Sequence, residues 1–398
     1  MLRSTILISA LITLNLINQS AYAENNSDFN HWLIAFKAEA LAANISGKTI
    51  DDTFKNASLL PRVIILDRGQ PEFISPFLDY LDKRVTTNQI AIGRAKLQEY
   101  QMLLKEIEAN YGVSKSILVA FWGLETSYGG NKGNFHVASS LMSLAFEGRR
   151  AAFFRNQLLD AMRIVDGGHN TSTSMRGSWA GAMGHMQFMP STLLKYGVDA
   201  DSDGRINIWT SKLDAFASAA NYLSKVGWRI DEPVAVEVKL PDNFHYSLAR
   251  LNTRKSTNEW IGLGVKDIRN NVLPQLENTA ILIPQGWQGP AFMIFSNFDV
   301  VMDWNRSVNY ALSVAYLANQ LEKHLPIVAR SIAHSQALSF NQMWALQGRL
   351  NELGYDCGPP DGYPGLKTQS AIGLYQASHF LPQDGYASFY LYQQLLIK

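Results

Sequence analysis

From about Asn25 to Arg163 apolar residues recur at helical spacing. They cluster at Trp32, Ile34 and Ala35, then from Phe73 to Leu81, then from Ala95 to Tyr111, where Leu97, Met102, Leu103 and Ile107 approximate the helical period. Gly112 is expected to stop this last helix and Ser114 to cap the next. That next run, Ile117-Leu118-Val119-Ala120-Phe121-Trp122-Gly123-Leu124, is apolar nearly all round, the pattern of a helix buried on every side, and its last turn carries Glu125. Beyond a Gly/Asp/Asn-rich segment at 197–207, helix returns over Ala215 to Val226. Val234 to Lys239 then alternates, and Thr279 to Ile283 and Phe292 to Phe295 are short β-prone runs separated by Pro and Gly, which predicts a small sheet. Helix resumes from Ser307 to Leu325. The pattern weakens between Pro326 and Ser339, and residues 328–338 are the candidate linker. No repeat with a period of 20–50 residues is apparent.

Composition narrows the class. The chain has 398 residues, 47% of them hydrophobic and 17% charged, which excludes disordered, collagen-like and disulfide-scaffold proteins. At this length two or three domains are expected, each able to bury its own core. Lys and Arg number 35 against 34 Asp and Glu, with no basic run, so nucleic acid is not the expected partner. Residues 1–23 read as a signal peptide: Arg3 supplies the positive start, Thr5 to Ile17 the apolar stretch, and Ala21-Tyr22-Ala23 a small-x-small cleavage site. The stretch is short and broken by Asn15 and Asn18, and no other run approaches the roughly 18–20 apolar residues that span a bilayer. The sole cysteine, Cys357, leaves none at the cleavage site for lipid attachment and none for an intrachain disulfide. The expectation is a soluble periplasmic protein.

Several kinds of chemistry can be set aside. No H-E-x-x-H, paired His and Cys, or G-x-S-x-G occurs, and Gly129 to Gly133 lacks Walker spacing and reads as a turn. Met183, Met186 and Met189 recur every third residue, a stripe that reads as packing. Glu125 stands out, at the end of an apolar helix and followed by Thr126-Ser127-Tyr128-Gly129-Gly130. Burial on one side of a carboxyl favours its protonated form, so one reading is a general acid. The other is a helix-end acid paired with Arg149 or Arg150, and spacing leaves both open. The segment Gly177 to Ser191 is rich in small residues, which suit either close approach of backbone to a ligand or close packing. Ser178 and Gln187 bring hydrogen-bonding groups suited to hydroxyls and acetamides.

Three motifs, Trp122-Gly123-Leu124-Glu125-Thr126-Ser127-Tyr128-Gly129, then Gly181-Ala182-Met183-Gly184-x-x-Gln187-Phe188-Met189-Pro190-Ser191, then Ala219-Ala220-Asn221-Tyr222-Leu223, together resemble the lytic murein transglycosylase B family, glycoside hydrolase family 103. The resemblance covers roughly Asn30 to Leu325. It implies an α+β, predominantly α fold, with a lysozyme-like catalytic domain over residues 24–327 that includes a small β-rich part. It also implies an enzyme, a carbon–oxygen lyase that cleaves peptidoglycan between N-acetylmuramic acid and N-acetylglucosamine and leaves 1,6-anhydro ends. Glu125 matches the family's catalytic carboxylate. Ser178 and Gln187 match the sugar-binding groove, and Tyr80, Tyr222 and Asn305 match groove residues around the acid. Trp304 departs from the family's type member, which has a Tyr there, so a hydroxyl contact is expected to be lost while stacking on a sugar remains. Hydrolases of this type use two carboxylates about 5–10 Å apart, and the sequence offers one good one. A hydrolytic muramidase is the rival enzyme, and no cofactor is expected for catalysis.

Asp199-Ala200-Asp201-Ser202-Asp203-Gly204-Arg205-Ile206-Asn207 places oxygen side chains at positions 1, 3, 5 and 9 with Gly at 6, as in the first part of an EF-hand loop. Position 12 is Thr210, so a later acid is needed, and the resemblance points to Asp214. The candidate ligands of one structural calcium are Asp199, Asp201, Asp203, Arg205 and Asp214. An Asx-rich turn is the plain alternative. At the C-terminus, Leu346-Gln347, Leu350, Gly354-Tyr355, Gly358, Asp361-Gly362, Gly365, Thr368, Ala371, Gln376 and Asp384-Gly385 resemble the small three-helix peptidoglycan-binding domain, here residues 339–398. Peptidoglycan strands are thus the expected partner, with wall-synthesis proteins as further candidates. A wall-binding scaffold without activity is the rival from another class, and the retained Glu125 motif argues against it.

Overall fold

Ser114 accepts the backbone N–H of Ile117 and starts the helix Lys115–Thr126, every residue of which from Ser116 to Leu124 is buried. The protein's structure, a computed structural model, describes residues 28–55, 57–68, 75–329 and 336–396. The signal-peptide segment 1–23 lies outside them, as do residues 330–335 of the candidate linker. The described chain is predominantly helical with small antiparallel sheets, the α+β class expected. It divides into two units, one of residues 1–69 and 129–218, the other of residues 70–128 and 219–398.

The first unit packs the buried helix Val137–Glu147 against Ala151–Asp166 and Pro61–Arg68. Trp32 and Phe36, on a helix over 28–42, stack at 5.1 Å. Strands Phe135–His136 and Arg176–Gly177 pair beside them. Asp67 is buried between Arg149 and Arg150, at 2.5 and 2.6 Å, which satisfies a charge that would otherwise be costly there.

In the second unit Lys115–Thr126 is packed by Val308–Leu321, Thr87–Glu99 and Gln101–Tyr111. Gly112, at φ 69°, ends Gln101–Tyr111 in the left-handed conformation expected of it. The single helix predicted over Ala95 to Tyr111 is in fact two. Tyr100 leaves helical dihedrals (φ −103°, ψ 19°), and its ring sits edge-on to Trp122 at 5.7 Å, so tertiary packing overrides local periodicity. The sheet runs Lys266–Asp267, Ala235–Lys239, Ala291–Ile294, Ala280–Leu282, all neighbours antiparallel. Its two-residue edge strand is too short to show in sequence. The others fall within one residue of the expected runs.

The C-terminal helices Phe340–Glu352, Leu366–Ser378 and Phe389–Leu396 close over Leu346, Leu350, Ile372 and Leu391. Gln347 is buried at the centre, its Oε1 accepting the N–H groups of Asp361 and Gly362 and its Nε2 donating to Thr368. This part of the unit also touches the sheet region. The Trp287 N–H donates to Asp384 Oδ2 at 3.0 Å, and Arg250 Nη1 donates to the Asp384 carbonyl at 3.0 Å. Gly286 lies at φ +77°, and a Cβ there would stand 2.8 Å from Asp384 Oδ2, so only glycine permits the approach. The candidate linker begins under restraint, because the N–H groups of Val328 and Ala329 both donate to the buried Glu237 carboxylate.

Candidate functional site

The motif around Glu125 has a local physical account. After Thr126 the chain turns through two left-handed residues, Ser127 and Tyr128, at φ 49° and 60°. This folds the Tyr128 ring back under the helix, where its hydroxyl donates to the Gln89 carbonyl at 2.8 Å. Gly123 makes the fold-back possible, since a Cβ there would lie 2.8 Å from the Tyr128 ring. Burial holds the Tyr128 hydroxyl well above its usual range. Arg84 donates to the Leu124 carbonyl at 2.6 Å and satisfies one of the helix's last acceptors. Two non-glycine residues in the left-handed region and a glycine without room for a side chain are strain spent on fixing one turn, that of Glu125.

Glu125 is half-buried, and two side chains donate to the same oxygen, Oε1: Trp304 Nε1 at 2.9 Å and the Tyr310 hydroxyl at 2.5 Å. Tyr310 is fully buried, and burial first, then the neighbouring Glu125 charge, raises its hydroxyl well above the usual range. Trp304 packs against Phe121 at 4.6 Å and edge-on to Tyr222 at 5.1 Å. Tyr80 is buried on Phe77–Arg84 and acts electrostatically on Tyr310. Asn305 caps the helix Ser296–Trp304, directly after the tryptophan. The second unit therefore contains Glu125, Tyr80, Tyr222 and Asn305. The arginines named as alternative partners of Glu125 are held by Asp67. Glu147 is bound by Arg68 at 2.7 Å, which keeps its carboxyl below the usual range.

Tyr310 was not singled out from sequence. Its signal was weak, a hydroxyl on an otherwise apolar helix, which needs a partner once buried. Trp304 adds a contact that the sequence did not suggest: its indole N–H donates to the acid itself.

Ser178 and Gln187 belong to the first unit. Ser178 Oγ accepts the Ala182 N–H at 3.0 Å, and Gln187, at φ 51°, donates from Nε2 to the Lys132 and Gly184 carbonyls. The glycines of this segment serve packing, for a Cβ on Gly184 would stand 2.5 Å from the Ile208 carbonyl. His185, buried in the same segment, is lowered to about 4 by burial and by Lys132 and Lys212.

In the acidic loop Asp199, Asp201 and Asp203 each bring an oxygen within 4.8 Å of the others. Asp199 Oδ2 accepts the Gly204 N–H, and Asp203 Oδ1 accepts the Arg205 N–H. Asp214 is wholly buried, accepts the N–H groups of Ala200 and Asn207, and so ties the two ends of the loop. Its carboxyl is raised by burial, with the charges of Asp201 and Asp199 pushing the same way. Three converging hard oxygen donors with mutual repulsion fit a divalent cation such as calcium.

A half-buried acid held by aromatic donors at the end of a buried helix is the arrangement of a glycan-cleaving lysozyme-like enzyme. Comparison with known proteins gives the same class. The transglycosylase SLT domain family matches residues 28–319, and the putative peptidoglycan binding domain family matches residues 341–395. Membrane-bound lytic murein transglycosylase B of Escherichia coli (strain K12) is 30% identical over 247 residues, which are 60% of this chain and 65% of that relative's length. SltB3 from Pseudomonas aeruginosa, solved in complex with NAG-NAM-pentapeptide and with NAG-anhNAM-pentapeptide, is 40% identical. It superposes with a TM-score of 0.89 over 92% of this chain and 99% of its own. The Escherichia coli lytic transglycosylase Slt35 in complex with calcium is 26% identical, with a TM-score of 0.63 over 73% of this chain and 92% of its own. The chain belongs to the transglycosylase SLT domain family and carries a C-terminal peptidoglycan-binding domain.

Proposed function

We propose that this protein is a peptidoglycan lytic transglycosylase that cleaves the N-acetylmuramic acid–N-acetylglucosamine bond and leaves 1,6-anhydro-muramic ends, with Glu125 as its single acid–base. The observation that carries the reading is the placement of Glu125, half-buried at the end of Lys115–Thr126 with Trp304 and Tyr310 on its carboxyl. Glu125 gives its proton to the glycosidic oxygen as the bond from C1 breaks. The resulting carboxylate then takes the proton of the muramic acid C6 hydroxyl, whose oxygen closes on C1. No water and no second carboxylate is consumed, in keeping with the engagement of Glu147 and Asp67 by arginines. Such acid–base action contributes about 10²–10⁴ in rate, and positioning of the sugars by groove residues supplies much of the rest. Tyr80, Tyr222 and Asn305, with Ser178 and Gln187, are the proposed groove residues. SltB3 bound to NAG-anhNAM-pentapeptide supports the anhydro outcome.

Asp199, Asp201 and Asp203 would hold one structural calcium, with the main-chain carbonyl of Arg205 and the carboxylate of Asp214 as the further proposed ligands. The bound ion would neutralise the loop and take no part in the reaction. The segment 328–338 is read as the connection between a catalytic part at 24–327 and a wall-binding part at 339–398. Export to the periplasm is proposed from residues 1–23; among the described residues no helix is long and apolar enough to cross a membrane. Partners among wall-synthesis proteins are proposed from the shared substrate alone. Mass spectrometry of fragments released from purified sacculi tests the reaction. Anhydro-muramic ends are expected, and reducing ends would establish the hydrolytic muramidase instead.

A further inference from the structure

We propose that Trp304 is a positioning residue for Glu125: its indole N–H, with the Tyr310 hydroxyl, fixes Oε1 and so sets the orientation in which the carboxyl exchanges its proton with substrate. This rests on the reading of Glu125 as the acid. The geometry is the convergence of two donors on one oxygen, the indole N–H at 2.9 Å and the phenol at 2.5 Å. A carboxyl oxygen has two lone-pair directions, and two donors take both.

The two donors also suit a group that must work in two states. An indole N–H donates and neither accepts nor ionises near neutral pH. Tyr310 is fully buried and stays a phenol. Oε1 accepts from both whether it is the carbonyl oxygen of the acid or part of the carboxylate. In the first half-reaction the carboxyl O–H bond of Glu125 breaks as the glycosidic oxygen takes the proton and the electron pair of its bond to C1. In the second, the carboxylate takes the proton of the C6 hydroxyl as the O6–C1 bond forms. Neither donor needs to move between them.

The chain places the donors together by a short connection. Trp304 ends the helix Ser296–Trp304, Asn305 leaves helical dihedrals at φ −144°, and Ser307 caps Val308–Leu321, which presents Tyr310. The aim of the indole is set by its ring, wedged against Phe121 and Tyr222. Packing of this kind makes Trp304 a fixed donor instead of a platform free to stack on sugar. Tyr80 and Arg84 act electrostatically on Tyr310.

The test replaces Trp304 in the full chain with β-(3-benzothienyl)alanine, which keeps the ring's shape and exchanges N–H for sulfur. On soluble glycan strands kcat is expected to fall about tenfold or more, the loss of one hydrogen bond to a charged group, with KM unchanged within twofold. A donor to the carboxylate favours the charged form, so its removal should carry the alkaline limb of kcat upward by about half to one pH unit. Trp304→Phe and Trp304→Tyr form a second pair that differs by one hydroxyl, and Tyr should recover part of what Phe loses in both readouts. Unchanged kcat and pH profile in the benzothienyl variant, or a raised KM with kcat intact as for a sugar-stacking ring, would overturn the proposal. Glu125→Gln separates the two readings: if it is inactive while loss of the indole N–H is silent, only the role of Trp304 falls, whereas activity in Glu125→Gln removes the acid itself.

Discussion

Glu125 and Asp384 are both carboxylates set against aromatic residues in the second unit, yet they are held in different ways. At Glu125 two side chains, Trp304 and Tyr310, converge on Oε1. At Asp384 the donors occupy both oxygens and are largely backbone: Oδ1 accepts from the Tyr386 N–H and Gln376, and Oδ2 from the Trp287 N–H. Backbone donors on both oxygens suit a group whose position never changes. Side-chain donors gathered on one oxygen suit a group that gains and loses a proton. The number of hydrogen bonds says little about whether a buried acid is chemical or structural; where the donors sit on it says more.

The largest effect expected of this contrast is on turnover. Glu125→Gln should lower it at least a hundredfold, since the amide keeps the shape but gives up no acidic proton. Asp384→Asn should leave the rate on short soluble strands near that of the unsubstituted protein. Equal loss of rate in the two variants would break the comparison.

His185 extends it to a buried base in the first unit. Its folded-state value is about 4, against 6.5 for the free group, so the folded protein favours neutral His185. The stability this gives is present above pH 6.5 and is lost as the pH falls from there towards 4, in all on the order of 3 kcal/mol. Urea unfolding at pH 7 and pH 4.5 should show that loss reduced in His185→Gln; parallel pH profiles for the two proteins would show that His185 does not carry it.

Third in size is the hold on the C-terminal helices. Arg250→Ala, or Asp384→Asn, whose amide must turn an N–H towards one of the three donors, should cost about 1–3 kcal/mol. Faster hydrogen exchange at 383–387 and at Trp287 would report it, and unchanged exchange would mean that these bonds do not hold the helices to the sheet region. Burial raises the Asp384 carboxyl despite its donors. Its contribution therefore grows as the pH falls and fades as the pH rises through the folded value, so mild acid should not release the helices.

The smallest effect concerns acids that face one another instead of donors. If Asp199, Asp201 and Asp203 hold calcium, excess chelator should lower the melting temperature by a few degrees. A melting temperature indifferent to both chelator and added calcium would leave the loop as an Asx-rich turn.

What could be read from the chain follows the same line. The helix ending in Glu125 was legible because its cap, Ser114, and its apolar run are contiguous, and the Gly112 stop is a local matter of positive φ. The partners of Glu125 were not, because Trp304 and Tyr310 lie 179 and 185 residues away and nothing local marks a donor aimed at a distant acid. Asp384 appeared only as part of a turn motif, and its bond to Trp287 spans 97 residues. The break at Tyr100 was hidden for a related reason, since the ring contact with Trp122 is tertiary. Periodicity reports what a segment buries, and it is silent about which groups meet there.

The grip of Glu237 on Val328 and Ala329 has a mechanical meaning. If the C-terminal part binds the wall, a pull on it reaches the body of the unit at the candidate linker as well as through the bonds of Asp384. That tension meets the carboxylate of Glu237, on the central strand Ala235–Lys239, before it reaches the helix Val308–Leu321. The strand is hydrogen-bonded along both edges and spreads the load as shear across its neighbours.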